Sequence, residues 1–269
     1  MRKMICVLAL FMTGELLSIP FAPLLALLLI PLMKPLTNTR VMERILAVVF
    51  IPAAAFTAAV TAYRLSVFVG TTSLPRTPDW LLAAVTVAAA FFLAFGGSEQ
   101  VRKFSAFTLP LVLVFIGLSA VLLAGKLQSG GFTVPRVWER NPLVLACEGI
   151  ALLGIMPSFR YKEKPFRAYL AALLVALGIG AAVWSLSMFT LGGTLAETVR
   201  YPFHTALRVA KGGELIGRIE AFLIPVCLCV AVVKTAACMA VIAHGVKAYR
   251  PPSSARASND RFPETAPET

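Results

Sequence analysis

Apolar residues along this chain come in long runs, and polar residues fall in short stretches between them. The runs are Ile5–Met33, Ile45–Val69, Trp80–Phe95, Phe104–Gly125, Leu143–Phe159, Phe166–Gly192 and Leu215–Val246. Most approach the roughly 20 residues that carry an α-helix across a bilayer. The third and fifth are shorter, a length that suits half-helices around a binding site. The first is too long for one upright helix and too short for two. Pro20, Pro23 and Pro31 interrupt it and Glu15 lies inside it, which predicts one kinked helix or a broken helix with a short return. The pattern as a whole predicts an all-α membrane protein, a polytopic bundle of about seven to eight spans. This membrane domain covers residues 1–250. The stretch 251–269 has little apolar bulk and several Pro and Ser, which predicts a disordered tail.

Composition supports that picture. Of 269 residues, 58% are hydrophobic and only 14% charged, with a mean hydropathy of +0.82. A soluble domain carries about 25% charged residues. The net charge of +12 would suggest a nucleic-acid partner in a soluble chain. Here the basic residues lie between apolar runs, with no basic stripe interleaved with aromatics. They read as topology determinants in a lipid bilayer, and nucleic acid is set aside as a partner. Met1-Arg2-Lys3 and the apolar run after it resemble a signal peptide superficially. The run outlasts any signal and lacks a small-x-small cleavage site, so a retained membrane segment is expected.

Loop charge gives an orientation. The Arg40 loop, the Glu99–Lys103 turn, the Arg160–Arg167 loop and the tail hold thirteen Lys and Arg, against eight in the alternate loops. The richer side, with the C-terminus, is expected to be cytoplasmic. One conflict arises: a single first span would put Arg2 and Lys3 on the opposite side.

Polar groups inside the apolar runs are the candidates for function. Lys234 stands near the middle of the run from Phe222 to Ile242. A charge at that depth costs roughly 3 kcal/mol on insertion scales and is usually turned toward a cavity or partner. Its face carries Cys227, Ala231, Cys238 and Gly245, small residues that suit close helix packing. Pairing with a buried acid is the structural alternative to a functional role. Glu148 stands in the fifth run beside Gly149 and before Gly154. Those glycines would ease local unwinding, and unwound backbone binds small polar ligands. Glu15, inside the first run, is a further ionisable candidate. The ligand-binding candidates are therefore Glu148, Gly149, Gly154, Lys234 and Glu15.

Catalytic and cofactor chemistry find no support. No nucleophile–base–orienter set, G-x-S-x-G, H-E-x-x-H or P-loop is present, and no cofactor is implied. His204 and His244 are isolated, and Cys6, Cys147, Cys227, Cys229 and Cys238 lie in apolar runs without partner ligands. They read as small buried apolar residues.

Several stretches in order resemble the GerAB-type spore germination permeases, a branch of the amino acid–polyamine–organocation transporter superfamily. Ser73-Leu-Pro-Arg-Thr-Pro-Asp-Trp80 and Ala94-Phe-Gly-Gly-Ser-Glu99 are similar to the family's external LPxTPxW loop and its Ala-aromatic-Gly-Gly-x-Glu turn. Phe104–Leu113 with Pro110 continues the match, and Met156-Pro-Ser-Phe159 resembles the end of the sixth helix. Arg200-Tyr-Pro-Phe-His-Thr-Ala-Leu-Arg208, Gly213–Glu220 and Val233-Lys-Thr235 resemble the strongest block. The resemblance runs from about Glu43 to Gly245 and ends at the span like the family's eighth. It implies a truncated five-plus-five inverted-repeat (LeuT-like) transporter fold, an external short helix over Val199–Gly213, and one internal cavity between the last span and the Leu143–Phe159 span, lined by Lys234 and Glu148.

The function implied by the resemblance is that of a germinant-receptor subunit. It would sense a small nutrient, an amino acid or sugar, in the spore inner membrane or cell membrane. It would act with a membrane A-type subunit and a lipoprotein C-type subunit. A proton-coupled amino acid transporter is the second expectation. A degenerate structural subunit without ligand is the third.

Overall fold

The computed structural model describes residues 2–13, 40–126, 142–158, 165–209 and 220–249. Every regular element among them is helical: α1 (Arg2–Thr13), α2 (Arg40–Thr72), α3 (Asp79–Phe95), α4 (Gly97–Leu123), α5 (Pro142–Ser158), α6 (Pro165–Leu191), α7 (Gly193–Thr198), α8 (Pro202–Val209) and α9 (Glu220–Tyr249). A single 3₁₀ turn, Ala124–Lys126, follows α4. The expected tail over 251–269 lies outside the described residues, as does Glu15.

Four stretches are long and apolar enough to cross a membrane: Ala47–Thr72, Gly97–Leu123, Arg167–Leu191 and Ala221–Lys247. Lys3–Met12, Asp79–Phe95 and Ala146–Ile155 are shorter apolar helices. The chain is thus an all-helical protein with four candidate membrane-spanning helices among the described residues. The helices follow from the apolar runs: inside lipid the backbone must satisfy its own polar groups, and a helix does so within one segment. Pro52, Pro110 and Pro225 sit inside α2, α4 and α9 without ending them.

α9 is the hub. It packs along α2 above all, and also against α1, α3, α4, α5 and α8. Of its apolar window 61% is buried, against 33–39% for the other three long helices. α2, α3 and α4 form successive antiparallel hairpins. The second of these turns at Gly96-Gly97, where Gly97 has φ +84°, a conformation that residues with a Cβ rarely adopt. Within the Val199–Gly213 stretch, α8 lies at the end of the bundle opposite this turn. Its Phe203 packs on Phe115 of α4, and Tyr201 just before it packs edge-on against Phe68 near the end of α2, with centroids 5.0 Å apart.

One expectation is corrected. α5 is one continuous α-helix from Pro142 to Ser158, so Gly149 and Gly154 do not unwind it. Gly154 instead admits a close neighbour. A Cβ there would lie 2.8 Å from Val241 Cγ1 and 3.3 Å from Phe50 Cγ. Lys3 lies at the same end of the bundle as the Glu99 turn. Lys3 Nζ lies 3.4 Å from Glu99 Oε1, and Arg102 binds the other oxygen of Glu99 at 2.6 Å. Lys3 therefore joins the basic face of the Glu99 turn.

Candidate functional site

A helix with a charge in the middle must give that charge a partner, and α9 does. Lys234 Nζ donates to Glu148 Oε1 at 2.8 Å, joining α9 to α5. Lys234 is 2% exposed and Glu148 9%. Two ions removed from water this far would each cost several kcal/mol if alone. At this distance the charge-assisted hydrogen bond offsets much of that cost.

Local sequence places both groups. On α9 the residues from Val230 to Cys238 are all buried, so at this level the helix is surrounded by protein and its lysine cannot reach lipid or water. Gly245, on the lysine's face, brings α2 close: a Cβ there would meet Ile51 Cγ1 at 2.8 Å. On α5, Glu148 and Gly149 are buried. Gly154, further along, seats α5 against Phe50 and Val241. Close packing at Gly154 therefore sets the distance between the two helices that carry the charges, and Gly245 sets that between α9 and α2.

α1 supplies a third wall. The Phe11 ring centroid lies 5.4 Å from Lys234 Nζ, within range of a cation–π contact. α1 is buried along its length, from Met4 through Met12 apart from the partly covered Ile5 and Cys6. From Lys3 to Phe11 the helix rises about 12 Å. The ring thus meets the lysine well inside the bundle. No motif marks Phe11 in the sequence; it is one aromatic in an apolar run.

Of the five candidate ligand residues, the structure brings Lys234 and Glu148 into contact and sets Gly149 beside the glutamate. Gly154 sits two turns of α5 away, and Glu15 lies outside the described residues. Among the described residues no cluster of His, Cys, Asp or Glu could hold a metal, and the five cysteines are unpaired. No family model, no curated protein and no solved structure matches the chain.

Proposed function

We propose that the chain is the membrane subunit of a spore nutrient-germinant receptor, sensing a small nutrient at the Lys234–Glu148 pair. The observation that carries this reading is the pair itself, buried where α1, α5 and α9 converge. A lysine and a glutamate facing each other across two helices offer one site for a carboxylate and one for an ammonium. A zwitterionic α-amino acid satisfies both when it separates them. Ligand that binds the separated arrangement better than the paired one shifts the bundle between two states, by no more than that difference in affinity. The ordered resemblance from Glu43 to Gly245 supports the same reading.

In this proposal the bundle is built on a five-plus-five inverted-repeat fold. It lies in the spore inner membrane or the cell membrane with its C-terminus cytoplasmic. It acts with a membrane A-type subunit and a lipoprotein C-type subunit. The test is binding of L-alanine, with D-glucose as a neutral counter-probe, to the full chain in nanodiscs. Lys234→Met is expected to abolish L-alanine binding. Undiminished binding by that variant makes the pair a packing feature and removes the proposal.

A second reading, a proton-coupled amino acid transporter, draws on the fact that both members of the pair are titratable. Labelled L-alanine flux into proteoliposomes decides between them. Flux that depends on Lys234 favours transport, and binding without flux favours sensing.

A further inference from the structure

Threonines and serines buried in these helices follow one habit. Thr61, Ser66, Thr86, Ser105, Thr108, Ser119, Ser187 and Thr190 all donate their hydroxyls back to a backbone carbonyl three or four residues earlier. That bond lets a hydroxyl sit in an apolar interior at little cost. Among the described residues two buried threonines break the habit: Thr57, 1% exposed, and Thr235, fully buried, whose Oγ1 atoms have no hydrogen-bond partner. Thr235 follows Lys234 directly, a turn of about 100° around α9, and so faces away from the lysine's partner. Thr57 is different.

Phe50 of α2, Gly154 of α5 and Val241 of α9 meet at one point. Gly245 lies against Ala47 and Ile51, so the start of α2 accompanies the end of α9, and α2 runs against both α9 and α5. Seven residues of α-helix make two turns, about 10.5 Å, with a drift of only about 20°. A move of seven residues back on α9 leads from Val241 to Lys234. The same move on α5 leads from Gly154 to Cys147, the neighbour of Glu148. Those two helices do meet there, in the 2.8 Å ion pair. Seven residues forward on α2 lead from Phe50 to Thr57.

We propose that Thr57 is the third polar member of the Lys234–Glu148 site, a ligand-binding residue whose hydroxyl is unsatisfied while the two charges pair and hydrogen-bonds when a ligand separates them. This rests on reading the pair as a nutrient site. An α-amino acid between the charges presents its carboxylate to Lys234. Thr57 then donates to that carboxylate from α2 and fixes its orientation. The resting state carries the unmade bond and the occupied state makes it, which biases the bundle toward occupancy.

The experiment uses the full chain in nanodiscs, with L-alanine as the probe, and compares Thr57→Val, Thr57→Ser and Lys234→Met. Valine keeps the shape and removes the hydroxyl. The expected result is about tenfold weaker L-alanine binding for Thr57→Val, the size of one lost hydrogen bond, with Thr57→Ser close to wild type. The unfolding midpoint of ligand-free Thr57→Val should be unchanged or raised, since no bond is lost in the resting state. Wild-type affinity in Thr57→Val together with lost binding in Lys234→Met overturns the role of Thr57 and leaves the site standing. No L-alanine binding by the wild type, or full binding by Lys234→Met, overturns the site and Thr57's role with it. A lowered midpoint for ligand-free Thr57→Val shows the hydroxyl already bonded at rest and also overturns the proposal.

Discussion

α3 and α9 are both apolar helices, yet they behave as opposites. α3 carries its aromatics outward: Trp80 is 71% exposed, Phe92 74% and Phe95 83%, and only Thr86 and Ala90 are buried. α9 carries a buried lysine, three cysteines and several alanines, and is the most enclosed of the long helices. In water the bulky apolar helix would be inside. In a bilayer lipid tails solvate phenylalanine as well as protein does, so apolar bulk gains nothing by going inside. Small residues that allow close approach, and polar residues that need partners, mark the interior instead.

The sharpest way to break this contrast is to strand one charge. Glu148→Leu leaves the Lys234 ammonium buried without its acid and should cost about 3–5 kcal/mol, read as unfolding of the purified chain in detergent. Adding Lys234→Met should recover most of that loss, because an apolar pair of similar volume needs no compensation. A harmless Glu148→Leu would mean that α9 is not sealed from water. Next in size is crowding at the close approach. Gly154→Val places atoms where Val241 and Phe50 already sit and should cost about 1–3 kcal/mol; Gly154→Ala should cost less, and an equal loss for both would argue against a steric cause. Phe11→Leu keeps the bulk and loses the ring face over the ammonium, about 1 kcal/mol. Its effect should vanish in the Lys234→Met background, and a double-mutant cycle measures that. The smallest effect belongs to α3, where Phe92→Leu should stay within about 0.5 kcal/mol. A loss several times larger would show that this face is packed against something other than lipid.

The positions of the helices were legible because runs of apolar residues have one stable solution in lipid. Lys234 and Glu148 were legible for the complementary reason: each is too costly to leave alone, so each demands explanation from composition alone. The resemblance set both along one cavity between their helices, but their direct pairing was not legible, because it depends on the register of α5 against α9. Gly154 shows why a correct residue can carry a wrong expectation. A glycine in a helix permits unwinding and permits close approach, and only the presence of Phe50 and Val241 beside it selects the second. Thr57 was out of reach altogether. In sequence it matches Thr61, which donates to the carbonyl of Thr57 at 2.8 Å, and the difference between them lies in which way a hydroxyl turns.

The two anchored ends of α1 have a practical consequence. Lys3 and Phe11 are eight residues apart on one helix, about 12 Å. One end is tied to Glu99 and the other rests over the Lys234 ammonium. A rod so held passes on a push at its outer end. Fluorophores or affinity tags attached near position 3 will therefore report on the charged layer and disturb it together.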